Sequence, residues 1–287
     1  MLRTVYISFP GLGIEEFKVS NVAFTVFGHP IAWYGIIITF GIIMAALYVL
    51  YRAKQEGVIA DDILDLGIYV VLFGVLGARL FFVLTSIDKF DSFWDIFKIW
   101  NGGLAIYGGI IAGVITIVTY CRIKKRNLYV FLDMIGPAAM LGQIIGRWGN
   151  FVNGEAHGGI TDIFCRMGLR FSEYASPVYV HPTFFYESLW NAIGFILINV
   201  FYKKKRYNGQ VALWYLTWYG FGRMFIEQLR TDSLYLLGSL YEVWFLKISS
   251  LIGLSCFLTF GGILLHHALK KTRKTTAFNN NGVEKTI

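Results

Sequence analysis

Ten consecutive residues, Gly146-Arg147-Trp148-Gly149-Asn150-Phe151-Val152-Asn153-Gly154-Glu155, hold a guanidinium, two carboxamides and a carboxylate among three glycines. A guanidinium is a rigid fork of donors that suits phosphate. Further on, Tyr219, Arg223, Glu227 and Arg230 fall at i, i+4, i+8 and i+11, one face of a helix. A fourth arginine, Arg79, stands alone in an apolar run. The chemistry these groups share is anion recognition. Plainer readings exist for each: a turn at a helix end for the glycine-rich segment, an ion-pair staple between helices for the stripe, and separate snorkelling for the arginines.

The surroundings are membrane-like. Of 287 residues, 56% are hydrophobic and 15% charged, against about 25% charged in an ordinary soluble domain. Apolar runs of about 18 residues or more can cross a bilayer as helices. Ile31–Tyr51, Ile99–Tyr120 and Ile248–Leu265 contain no charge; Leu66–Ile87, Leu128–Gly146, Thr183–Tyr202 and Tyr207–Glu227 contain one or two. The expectation is an all-α polytopic membrane protein of about seven transmembrane helices, one domain over residues 1–269. The connection from 151 to 181 is long enough for a small head, and 270–287 reads as a disordered tail. Met1–Ser20 reads as a surface arm, with no cleavable signal evident. Cys121, Cys165 and Cys256 lack metal or redox spacing, so no metal, cofactor or disulfide is expected.

Lys and Arg accumulate in cytoplasmic loops. Alternate connections hold fifteen against nine of them, the richer set including Arg122–Arg126, Lys203–Arg206 and the tail. This predicts an outward N-terminus and a cytoplasmic C-terminus, and it explains the net +8 without nucleic acid. In that orientation Arg79, Arg147 and Arg223 reach a similar depth near the outer headgroup boundary, where an anionic lipid headgroup lies. An ionisable group inside a span costs about 2.5–3.5 kcal/mol, so each should have a partner or a task. The glycines around Arg147 suggest non-helical backbone lining a polar pocket. Phe90, Phe93, Trp94 and Phe97 share a face that could lie in the interface or be a simple connector. Gly109 and Gly113 have the spacing of close helix packing. His181 and Glu187, at the start of the fifth span, could complete the pocket.

Taken in order, Trp33-Tyr34-Gly35, Gly77-Ala78-Arg79, the 146–155 segment, His181-Pro182 through Tyr186-Glu187, and Tyr219-Gly220-Phe221-Gly222-Arg223 with Glu227 and Arg230 resemble prolipoprotein diacylglyceryl transferases. The match covers about residues 30–232. The resemblance implies a bacterial cytoplasmic-membrane enzyme that moves the diacylglyceryl group of phosphatidylglycerol onto the lipobox cysteine of a preprolipoprotein, releasing glycerol phosphate. It implies Arg147, Arg223, Glu155 and Tyr107 as catalytic candidates. Arg147, Asn150, Tyr34, Arg79, Glu187, Tyr219, Glu227, Arg230 and His181 are the substrate-binding candidates. Arg147 would hold the headgroup with Asn150, Arg223 the leaving phosphate, and Glu155 and Glu227 would orient the arginines. One departure matters: Tyr107-Gly108-Gly109 stands where the family often has His-Gly-Gly, and a tyrosine with a pKa near 10 is a poor general base. Either no histidine base is needed, or Glu155, His181 or the local field activates the thiol. The other function considered is a transporter of an anionic lipid or small anion; no repeat supports it. An intramembrane protease would need a Ser–His, paired-Asp or zinc motif, and none is apparent.

Overall fold

The computed structural model describes residues 4–90, 92–98, 102–232 and 247–283, with side chains for all of these but 89 and 271–283. The fold is mostly helical. Among the described residues the helices are α1 (Trp33–Glu56), α2 (Ala60–Thr85), α3 (Ile106–Ile123), α4 (Leu128–Asn153), α5 (Thr183–Phe201), α6 (Gln210–Leu229) and α7 (Ile248–Val283). Six of them, all but α6, are long and apolar enough to cross a membrane. Many large apolar side chains along them are exposed, among them Ile42, Leu47, Leu72, Leu76, Ile115 and Leu258. Exposed large apolar side chains along such long apolar helices mark contact with lipid. This is a polytopic membrane protein. α7 runs on past Lys270 into the segment read as a tail, and the proposed start of the third span at Ile99 lies outside the described residues. Gly102 to Ala105 are non-helical and α3 begins only at Ile106.

The all-α expectation needs correction. Strands β1 (Thr4–Phe9), β2 (Ile14–Ser20), β5 (Met167–Arg170) and β6 (Val178–Val180) form an antiparallel sheet in the order β2-β1-β5-β6. Strands β3 (Val22–Val26) and β4 (His29–Ala32) form a hairpin that leads into α1. Residues 4–20 of the expected surface arm are therefore paired in a sheet. Val5 and Ile7 alternate inward from β1 and are fully buried with Met167, Leu169, Val180 and Phe184. The alternation is the half-buried strand pattern, and its partner strand lies some 160 residues away, out of reach of a local reading.

The chain divides into two compact units: residues 1–45 with 135–287, and residues 46–134. In the first, glycines let the helices close up. Gly146 and Gly149 on α4 receive α1, Ile38 lying against Gly146 and Tyr34 against Gly149, while Gly41 of α1 faces the Gly142 carbonyl. α5 and α6 are joined by a reciprocal lock. Trp190 and Trp218 stack with centroids 4.2 Å apart, and each indole N–H donates to the other's backbone carbonyl, at 3.1 and 3.0 Å. Each ring also sits over a glycine of the opposite helix, Trp190 over Gly222 and Trp218 over Gly194. Gly220 and Gly253 bring α6 and α7 into backbone contact.

In the second unit, α2 and α3 cross at Gly77 and Gly108, where a Cβ on either would strike the other's backbone carbonyl. Gly109 faces the Gly74 carbonyl, but a Cβ on Gly113 would meet nothing within 4 Å. The pair that brings the helices together is thus Gly77–Gly108, and Gly113 is spare. Asp62 is buried, accepts from the Tyr120 hydroxyl at 3.3 Å and pairs with Arg126 at 2.7 Å.

Candidate active site

The sequence predicts irregular backbone around Arg147. The structure keeps α4 helical through Asn153 and ends it there. Gly154 takes the left-handed conformation, φ +61°, its N–H donating to Phe151 O, while Glu155 N–H reaches back to Asn150 O at 3.0 Å. These two bonds are a Schellman closure, which needs a residue that tolerates positive φ. A Cβ on Gly154 would also sit 2.8 Å from Val5 of β1. The closure folds Glu155 back over the last helical turn, where its carboxylate accepts from Asn150 Nδ2 at 3.1 Å and Asn153 Nδ2 at 3.2 Å. Asn153, not among the candidates, is a second holder of Glu155; its place in the same ten residues was the available signal.

From Asn150 the polar chain continues inward. Arg147 Nη1 donates to Asn150 Oδ1 at 3.2 Å, and Arg147 Nη2 to Glu187 Oε1 at 2.5 Å. Arg223 Nη1 donates to the other oxygen of Glu187, Oε2, at 2.9 Å. Arg223 Nη2 lies 2.7 Å from Glu227 Oε2, a charge contact rather than a well-aligned hydrogen bond. Glu187 is therefore shared by two arginines from two helices, and the order Glu155–Asn150–Arg147–Glu187–Arg223–Glu227 runs unbroken across α4, α5 and α6. Exposure is greatest at its outer end and least at Glu227. The Arg147 side chain is 20% exposed, Arg223 12%, Glu187 6% and Glu227 2%. Arg147 is the more open of the two cations.

Packing fixes this geometry. Phe151 of α4 and Phe184 of α5 pack as tilted rings with centroids 4.8 Å apart and belong to the sheet's core. Ser188 Oγ donates to Ile144 O at 3.0 Å, setting the α4–α5 register one residue from Glu187. The Trp190–Trp218 lock sets the α5–α6 register one turn from Glu187 and Arg223. The Tyr34 ring lies on Gly149, beside Asn150. Tyr219 lies one turn below Arg223 on α6, and Gln143 one turn below Arg147 on α4. Gln143 donates to the buried Tyr215 hydroxyl at 3.2 Å, a continuation of the polar wall that the sequence analysis did not single out.

Other predicted residues make different contacts. Arg230 follows the end of α6 and forms a two-pronged pair with Asp232, at 2.9 and 2.8 Å, instead of extending the stripe. His181 is linked through Nδ1 to the Tyr186 hydroxyl at 3.5 Å, and that hydroxyl is 3.5 Å from Cys165 Sγ. Burial pushes the His181 imidazole below its ordinary value, so it is neutral at pH 7. Arg79 and Tyr107 belong to the second unit. All five N–H directions of Arg79 meet backbone carbonyls there.

Apolar helices and a relay of two arginines and three carboxylates, exposed at Glu155 and buried at Glu187 and Glu227, define a polytopic membrane protein with a site suited to an anionic group. The family model described as prolipoprotein diacylglyceryl transferase matches residues 21–266. A Clostridium perfringens (strain 13 / Type A) protein named phosphatidylglycerol–prolipoprotein diacylglyceryl transferase 1 is 43% identical over 223 residues, 76% of this chain and 85% of its own. The transferase of that name from Clostridioides difficile (strain 630) is 41% identical over 257 residues, 89% of this chain and 98% of its own. The Streptococcus pneumoniae (strain Hungary19A-6) protein is 42% identical over 229 residues, 78% and 87%. The chain belongs to the prolipoprotein diacylglyceryl transferase family.

Proposed function

We propose that this chain moves the diacylglyceryl group of phosphatidylglycerol to the lipobox cysteine thiol of a preprolipoprotein signal peptide, in the bacterial cytoplasmic membrane. The observation that carries the reading is Glu187 held between Arg147 and Arg223 in a chain of this family. Glu187 offers one anionic oxygen to each fork, and a phosphodiester carries two anionic oxygens able to do the same. Arg147, the more exposed, receives the headgroup together with Asn150. Arg223 meets the phosphate as negative charge builds on it. Preorganised cations aimed at developing charge are the usual source of such catalysis. Glu155 orients Asn150, Glu227 orients Arg223, and Tyr34, Tyr219 and Glu187 complete the wall.

In the step itself the cysteine sulfur forms a bond to the glyceryl carbon. The carbon–oxygen bond to phosphate breaks, and its electron pair leaves with glycerol phosphate. The thiol proton must first go to an acceptor. Tyr107 is poorly suited at neutral pH; Glu155 and the neutral His181 are the candidates. The topology that serves this reaction has α6 as a seventh span, the N-terminus and head outside and the C-terminus in the cytoplasm. The charge asymmetry of the connections supports it.

The test is to incubate the purified protein in nanodiscs containing phosphatidylglycerol with a lipobox peptide. The expected result is a peptide heavier by one diacylglyceryl group in thioether linkage, with glycerol phosphate released in equal amount. No thioether product would overturn the proposal.

A further inference from the structure

We infer that Arg79 is a positioning residue: its guanidinium fills a niche of backbone carbonyls and thereby sets the connection between α2 and α3. Nε donates to Ile96 O at 2.7 Å. Nη1 donates to Gly102 O at 2.7 Å and Gly103 O at 2.9 Å. Nη2 donates to Asp95 O at 2.7 Å and, more weakly, to Lys98 O at 3.4 Å. A guanidinium has five N–H donors, and five carbonyls receive them. Recognition of a phosphate needs donors turned toward it. Arg79 has none to spare in this arrangement, and its residue is only 8% exposed.

The niche is built for a cation. Asp95, Ile96 and Lys98 supply carbonyls from the end of the 3-10 turn Phe93–Phe97, and the Asp95 carbonyl also accepts the Lys98 N–H at 3.2 Å. The same turn is fixed at its start by a Ser92–Asp95 capping box. The remaining two carbonyls come from Gly102 and Gly103, both left-handed at φ +86° and +79°. A Cβ on Gly103 would lie 2.7 Å from Arg79 Nη1. Phe90 closes over the guanidinium at 5.1 Å and Phe82 at 6.0 Å. Ala105 N–H donates to Ala78 O at 3.0 Å, tying the end of the connection to the residue before Arg79. Phe93, Trp94 and Phe97 of the same turn pack on one another and stay 57–70% exposed. Arg79 thus fixes an aromatic face of the kind that lies in the bilayer interface. Lysine, a point charge with three donors, cannot span five carbonyls.

Hydrogen exchange of the full chain in nanodiscs tests this, and its readout stands whether or not transfer is observed. The amides of Asp95 and Lys98 are hydrogen-bonded within the connection, and that of Ala105 to α2. Arg79→Lys, Arg79→Ala and Gly103→Ala should each speed exchange in peptides covering these residues by about tenfold or more. Millimolar guanidinium should restore protection in Arg79→Ala, whereas sodium should not. The KM for phosphatidylglycerol should stay within about twofold, since an interaction that does not touch the lipid leaves its binding unchanged. Unchanged exchange in Arg79→Ala would overturn the inference, and a raised KM alongside it would assign Arg79 to the headgroup. Should the Arg79 variants not fold, Gly103→Ala decides alone: protection left intact there contradicts the niche.

Discussion

At the scale of single residues, the central group is Glu187, because it touches both arginines. Leaving a buried charge without its partner costs about 3–5 kcal/mol. Glu187→Leu should therefore lower the melting temperature sharply and abolish transfer. Glu187→Gln should keep most of the stability, since its amide oxygen still accepts one bond, yet slow turnover. Equal melting temperatures for the leucine variant and the parent protein would show that the bridge is not a structural necessity. The residue types at the site were legible in the sequence, since a membrane span does not carry Arg147, Arg223, Glu187 and Glu227 without partners. Which charge pairs with which was not. Helical spacing placed Arg230 on the Arg223 stripe, but α6 ends at Leu229 and Arg230 turns to Asp232. Membrane depth grouped Arg79 with the other arginines, and the five backbone carbonyls around it leave no trace in side-chain types.

At the scale of elements, close approach through glycine sets the register of the site. A Cβ at position 222 would lie 2.1 Å from Trp190 Nε1, too close for either group to stay. Gly222→Ala should destabilise by about 1–3 kcal/mol, the usual cost of overpacking, and lower activity by shifting Arg223 against Glu187. Thermal denaturation in nanodiscs measures the first and a transfer assay the second. Gly154→Ala should cost about 1 kcal/mol from its left-handed backbone, before the added contact with Val5. The helices were readable from apolar length, whereas the sheet was not. β1 pairs with β5 across most of the chain, and strands of four to six residues leave only a short alternation to read. The non-helical pocket expected around Arg147 is a helix with a Schellman closure: the glycines serve α1 packing and the helix end.

At the scale of the molecule, the head has its own acid sensitivity. A hydrogen bond from Arg170, with its charge, holds the Glu16 carboxyl below the ordinary carboxylate value. A depressed folded-state pKa stabilises above the unfolded value of about 4.3 and is lost as pH falls through the folded value. Exchange protection in β1 and β5 should therefore be flat near neutrality and decline only below about pH 4.3. Glu16→Gln should remove that part of the decline; an unaltered profile would assign the acid response elsewhere. Topology belongs to this scale too. Cysteines introduced at positions 174 and 204 should react with an impermeant maleimide from opposite sides of the membrane, 174 from outside. Labelling of both from one side would contradict the orientation derived from the basic connections.

The central claim is that Arg147, paired through Glu187 with Arg223, receives the phosphate of phosphatidylglycerol. Its most direct test is the rate of thioether formation by Arg147→Ala beside the parent protein, with phosphatidylglycerol varied in nanodiscs. Loss of a donor aimed at developing charge costs roughly 10²–10³ in rate, and the variant should fall by at least that much while the fold is retained. Full activity in Arg147→Ala would contradict the account.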